Sequence, residues 1–345
     1  MWIAAGGVAC GTVIALALAA AFALQYRAND RPLALPRPRG PHPIGRALLD
    51  WKDDARNREL MLFLWYPARD GAAGRRCEYI PGKWGELESE NLPPIPARRL
   101  RELSTNAIED APPAAGTLPV LVLLPGMGRI PAHYSVLAED LASYGYVVLG
   151  VTPTGYSRHV VFADGRVAEG RDDPNVEDRA TARAVLRIWA GDASFALSRL
   201  LADGRFPALD ARRIGVFGHS FGGDVAAHLP GLDSRFARAA NLDGAPFGDP
   251  IRKLDRPLLV MDSGGAADPG WKTVCSANPA FCAAMAMPQA GHMNFSDAGI
   301  LPSRFPFPKS LLMLGNVEGE PFLRQVADRL REFFAATGGT QSRPS

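Results

Sequence analysis

Ser220 has glycine two residues before it and two after it, in Gly218-His219-Ser220-Phe221-Gly222, and this pentapeptide is where the chain most clearly offers covalent chemistry. It follows the apolar run 213–217 and precedes Gly223-Asp224-Val225-Ala226-Ala227-His228-Leu229, which has a helical pattern. A serine hydroxyl is a poor nucleophile unless a tight strand-to-helix turn holds it exposed beside a base. Glycines on both sides let the backbones pass closely and permit the strained dihedrals such a turn requires. Ser220 is therefore the expected nucleophile.

A serine nucleophile needs a base, and the base needs an acid to fix its tautomer. Only His228 and His292 follow Ser220. His228 falls two turns along the expected helix, with its ring directed away from the hydroxyl. His292 sits in Gln289-Ala290-Gly291-His292-Met293-Asn294-Phe295, a late Gly-bearing loop suited to a base. Three aspartates stand at the carboxyl ends of expected strands, where a parallel sheet gathers its reactive groups: Asp243, Asp262 and Asp268. Spacing alone leaves the acid open among them, because an aspartate beside glycine is commonly a turn or cap residue. The oxyanion hole requires two backbone N–H groups. Phe221 offers one at a helix start, and Met127, between glycines in Pro125-Gly126-Met127-Gly128, offers the second.

Strand and helix patterns alternate around these positions. Strands are expected at 60–66, Leu118–Leu124, 146–151, 237–242 and 257–261, and helices at 132–144, 176–201 and 321–334. The stretch 71–116 reads as a Pro-rich surface excursion with a helical patch at 97–103. Such alternation implies an α/β fold, with a mainly parallel sheet and helices on both faces. The short stretch between Asp243 and Pro257 leaves no room for a large lid domain.

With 38 basic and 36 acidic residues the chain has no electrostatic reason to seek nucleic acid. Neither Cys-x-x-Cys nor His-x-x-x-His occurs, so no metal is expected, and serine chemistry needs no cofactor. The uncharged apolar run from Trp2 to Leu24 is long enough to cross a bilayer and is followed by Arg27, Arg31, Arg37 and Arg39. The expected organisation is a membrane anchor or signal at 1–26, a Pro/Arg-rich linker at 27–43, a catalytic domain at 44–338 and a disordered tail at 339–345. The body is expected to be anchored or exported, on the outer side of the membrane. In that setting Cys275 and Cys282 can form a disulfide, and Cys77 lies in a loop.

Several stretches together resemble the platelet-activating factor acetylhydrolase family of α/β-hydrolases, of the plasma and intracellular type II group. They are Gly40-Pro41-His42-Pro43-Ile44-Gly45, Tyr79-Ile80-Pro81-Gly82-Lys83, Leu141-Ala142-Ser143-Tyr144-Gly145-Tyr146, Gly218 to Gly223, Leu242-Asp243, and His292-Met293-Asn294-Phe295-Ser296-Asp297. The likeness runs from about residue 40 to residue 336. It implies the α/β-hydrolase fold and places the acid on Asp243, one strand earlier than in most such hydrolases. One motif departs: the family's H-G-x-G oxyanion loop has become Pro125-Gly126-Met127-Gly128. Dienelactone-hydrolase-like and cutinase-like polyester hydrolases share the fold and would put the acid on Asp268.

The resulting expectation is a serine esterase or lipase acting on short-acyl carboxylic esters, acetylated or oxidised phospholipids among them. Ser220, His292 and Asp243 form the triad, and Phe221 and Met127 the oxyanion hole. The rival from another class is a non-catalytic, membrane-tethered binding protein, which has no need for the complete triad.

Overall fold

A computed structural model describes residues 34–90, 103–170, 174–205, 209–264, 268–303 and 309–336. The apolar run 2–24, residues 27–33 of the linker, residues 97–102 of the helical patch and the tail lie outside the described residues.

Ten strands form one sheet. In chain order they are β1 (Ile44–Asp53), β2 (Arg58–Pro67), β3 (Arg76–Glu78), β4 (Ser104–Glu109), β5 (Leu118–Leu124), β6 (Val147–Val151), β9 (Leu209–His219), β10 (Arg238–Leu242), β11 (Leu258–Ser263) and β12 (Cys282–Met287). The spatial order is β12-β11-β10-β9-β5-β6-β2-β1-β4-β3. Strands from β12 to β6 run parallel, while β2 is antiparallel to both β6 and β1. A separate ribbon pairs β7 (His159–Val161) with β8 (Val167–Glu169). The helices are α1 (Gly82–Glu90), α2 (Ser135–Ser143), α3 (Arg179–Leu201), α4 (Phe221–Leu232), α5 (Pro269–Ala277) and α6 (Gly319–Ala335). This is an α/β-hydrolase fold.

The strands read as continuous apolar runs because both faces of the sheet are covered. Along β2, Met61, Phe63 and Trp65 enter one core with residues of α2 and α6, while Leu60, Leu62 and Leu64 enter the other with residues of α3 and α4. The alternation follows the two-residue period of a strand. It repeats in β5, where Leu121 and Leu123 oppose Val120, Val122 and Leu124.

The 71–116 excursion is more regular than its composition announces. It contributes α1 and adds β3 and β4 to the edge of the sheet. Ser104-Thr105-Asn106 carries little strand signal, but Thr105 is buried and its hydroxyl donates to the Cys77 carbonyl at 2.8 Å. Cys77 is thus the central, buried residue of β3 rather than a loop residue. The linker is also packed from Ala34 onward: Leu35 is buried, and Arg39 bonds Asp140 of α2 and Asp328 of α6. Cys275 and Cys282 are joined in a disulfide between α5 and β12. Among the described residues no helix is long and apolar enough to cross a membrane.

Candidate active site

The β9–α4 connection holds Ser220 at φ 55° and ψ −129°, a conformation that costs a non-glycine residue about 1–3 kcal/mol. The sequence sustains it because nothing larger than hydrogen fits at either flanking glycine. A Cβ on Gly218 would lie 2.1 Å from the Gly222 carbonyl oxygen, and one on Gly222 would lie 2.2 Å from that of Pro125. The Ser220 N–H donates to the Leu242 carbonyl at 2.9 Å, which pins the turn to β10.

Asp243 follows β10 directly and also has positive φ, 54°. Its turn is clamped by Asn241, whose amide oxygen accepts from Gly244 N–H at 2.7 Å and whose Nδ2 donates to the Gly244 carbonyl at 2.9 Å. The Asp243 carboxylate accepts from Ser263 N–H at 2.5 Å through Oδ1 and meets His292 Nδ1 at 2.6 Å through Oδ2. Burial pushes this carboxyl upward, but the hydrogen bonds from His292 and Ser263 outweigh it and hold the group below the ordinary carboxylate range. It is therefore ionised wherever an imidazole can act as a base.

His292 opens a short 3-10 turn, His292–Phe295, whose own residues fix its place. Asn294 Oδ1 accepts from Gly291 N–H and Gly315 N–H, each at 2.8 Å. Asp297 is buried against the start of α2 and accepts from Ser135 N–H at 2.8 Å and Val136 N–H at 3.1 Å. Burial raises its pKa to about 7 despite those donors. Sequence reasoning placed Asn294 and Asp297 only within a motif; in the fold they hold the loop that carries His292.

The structure thus brings His292 and Asp243 into contact, and Ser220 follows β9, the strand paired with the β10 that Asp243 follows. Among the described residues the Ser220 hydroxyl and His292 Nε2 have no hydrogen-bond partner, and no bond joins them. Such contacts often tighten only when substrate binds. The backbone N–H groups of Phe221 and Met127 likewise have no hydrogen-bond partner among the described residues. That is the condition an oxyanion hole requires.

No family model matches the chain. A probable 1-alkyl-2-acetylglycerophosphocholine esterase of Arthroderma benhamiae is 25% identical over 327 residues, covering 83% of this chain and 81% of that protein. A platelet-activating factor acetylhydrolase of Cavia porcellus is 25% identical over 269 residues, covering 66% of this chain and 60% of that protein. Among solved structures, a ferulic acid esterase from Streptomyces cinnamoneus superposes with a TM-score of 0.78 at 30% identity, over 91% of this chain and 95% of that one. The chain is thus similar both to platelet-activating factor acetylhydrolases and to a ferulic acid esterase. It is a carboxylic ester hydrolase.

Asp268, the alternative acid, has backbone partners of its own. It is the N-cap of α5, where its carboxylate accepts from Gly270 N–H at 2.7 Å and Trp271 N–H at 3.4 Å. Asp262 is buried, has its pKa raised to about 6 by that burial, and spends Oδ2 on Asp268 N–H at 2.8 Å. Neither carboxylate bonds His292. Among the described residues no cluster of three His, Cys, Asp or Glu side chains could hold a metal ion.

His228 has a structural use. Burial alone would lower its pKa, but the Asp224 carboxylate, 3.3 Å away, and hydrogen bonds to the carbonyls of Asp224 and Asp249 outweigh it and lift the value from 6.5 to about 9. A raised folded pKa means the stabilisation is complete below about pH 6.5 and lost as pH rises through about 9. Stability measured by urea unfolding is expected to decline over that window, and His228→Gln to flatten the decline. An equally steep decline in the variant would contradict the pairing.

Proposed function

We propose that the enzyme hydrolyses short-acyl carboxylic esters, with acetylated glycerophospholipids as the substrate class, through an acyl-enzyme on Ser220. The observation that carries this reading is the 2.6 Å contact between His292 Nδ1 and Asp243 Oδ2, made next to the β10 carbonyl that holds Ser220. Ser220 Oγ attacks the ester carbonyl while His292 Nε2 takes its proton, and Asp243 stabilises the resulting imidazolium. The N–H groups of Phe221 and Met127 donate hydrogen bonds to the carbonyl oxygen as negative charge develops on it. His292 then returns the proton to the departing alkoxide. Water, deprotonated by the same imidazole, releases the acid and restores Ser220.

Short acyl groups are supported by the 244–257 segment, which contains neither helix nor strand and so provides no lid domain. The apolar run 2–24 and the Cys275–Cys282 disulfide support export of the body to an oxidising compartment, with the run as its membrane attachment. The likeness to a ferulic acid esterase favours a second reading, in which the acyl group is a small aromatic acid.

Comparison of kcat/KM for p-nitrophenyl acetate, a long-chain p-nitrophenyl ester, an acetylated phospholipid and methyl ferulate tests the choice. The acetyl esters are expected to exceed the long-chain ester by about 100-fold, the ratio that roughly 3 kcal/mol of differential transition-state binding gives. A long-chain preference would contradict the proposal, and a ferulate preference would move the assignment to the second reading.

A further inference from the structure

We propose that His219, held uncharged as the Nε2–H tautomer, is a positioning residue that ties the backbone of His292 to the oxyanion loop through Tyr134. The inference rests on the reading of Ser220 and His292 as nucleophile and base, and it assigns a use to the residue between Gly218 and Ser220.

Donor and acceptor chemistry fixes the direction of every bond in this chain. His219 Nε2 lies 2.9 Å from the His292 carbonyl oxygen, which can only accept, so Nε2 must carry the hydrogen. A neutral ring then has a lone pair on Nδ1. Tyr134 Oη lies 2.8 Å from that nitrogen and must donate to it. The Tyr134 oxygen in turn accepts from the Gly126 N–H at 3.0 Å. The hydrogen-bonded path therefore runs from Gly126 N–H to the Tyr134 hydroxyl to the His219 ring, and from the ring to the carbonyl of His292.

The other protonation states fail on the same atoms. A hydrogen on Nδ1 alone would set the Nε2 lone pair against a carbonyl oxygen. An imidazolium would make Nδ1 a donor, so the Tyr134 oxygen would accept twice and its own hydrogen would be left over inside the core. His219 is 1% exposed and Tyr134 fully buried, so an unmade bond has no water to replace it. Burial also drives the His219 pKa down to about 3, with the charges of His292 and Arg129 adding to the effect and Asp243 opposing it. The ring thus stays neutral through the range in which an esterase works.

The path has a catalytic consequence because of what hangs on its ends. Gly126 directly precedes Met127, the proposed oxyanion donor, and a Cβ on Gly126 would lie 3.2 Å from that of Ser220. At the other end the His219 ring packs on that of His292, with centroids 4.5 Å apart, and on Phe295 at 6.2 Å. One side chain thereby sets the separation between the oxyanion donor and the base. A displacement of about 1 Å in such a constellation costs on the order of 100-fold in rate.

Two measurements on the full-length enzyme test the inference. Long-range ¹H–¹⁵N correlation spectra of the wild type are expected to show a protonated Nε2 and an unprotonated Nδ1 for His219, unchanged from about pH 5 to about pH 9. Separately, His219→Asn keeps an acceptor near the Nδ1 position but loses the Nε2 donor, and Tyr134→Phe cuts the path at its middle. Each is expected to lower kcat by about 10- to 100-fold with KM little changed, and the double variant to lower it no further than the worse single one, because one path is broken in all three. An Nδ1–H tautomer, a His219 titration inside that pH range, or single variants with wild-type kcat would overturn the proposal. These failures are distinguishable from failure of the active-site reading, because a fluorophosphonate probe that modifies Ser220 in the wild type leaves that reading intact whatever His219 does.

Discussion

Asp243→Asn is expected to lower kcat on a short-chain p-nitrophenyl ester about 10⁴-fold, the scale of loss when a triad acid becomes an amide and its histidine turns to the wrong tautomer. The geometry leaves little room for compensation. Asp243 Oδ2 meets His292 Nδ1 at 2.6 Å, and the substituted amide would present either a neutral oxygen or an N–H group to that nitrogen. Asp268→Asn is expected to keep most of the wild-type rate, because asparagine caps a helix about as well as aspartate and Asp268 serves as the cap of α5. The pair of variants separates two acids that stand at the ends of neighbouring strands. Equal losses would mean that Asp268 supports the active site as much as Asp243 does, which would contradict the assignment.

The second large effect comes from the nucleophile. Ser220→Ala is expected to reduce kcat about 10⁶-fold, and Ser220→Ala combined with His292→Ala to reduce it no further, since members of a triad act as one unit. Folding is expected to survive. Alanine makes the same backbone bond from residue 220 to the Leu242 carbonyl, and the turn is dictated by Gly218 and Gly222, whose missing side chains admit the crossing backbones. Additive losses in the double variant would show that the two side chains do not share a proton.

Much of this arrangement is legible in the sequence, for identifiable reasons. Ser220 stands out because close backbone passage demands glycine at fixed offsets, and the central strands because burial on both faces leaves uninterrupted apolar runs such as Leu60 to Tyr66. Asp243 is not distinguishable from Asp262 and Asp268 by spacing, since all three end strands or begin turns, and only the resemblance to a family selects it. The structure separates them by what each carboxylate accepts: an imidazole for Asp243, a backbone N–H for Asp262, a helix start for Asp268.

The edge strands β3 and β4 escape detection because they are short, contain charged or polar residues, and are stabilised by their neighbours instead of by their own pattern. His219 and Tyr134 escape for a different reason. Their bond spans 85 positions of sequence, and no local pattern reports a long-range hydrogen bond between buried rings.

The mechanism depends on Ser220 being a nucleophile that His292 activates. Treatment of the full-length protein with a fluorophosphonate probe, followed by mass spectrometry of its peptides, tests this most directly. The expected result is one covalent adduct, on Ser220, formed readily by the wild type and lost or greatly slowed in His292→Ala. An unmodified Ser220 in the wild type, or labelling that proceeds at the same rate without His292, would contradict it.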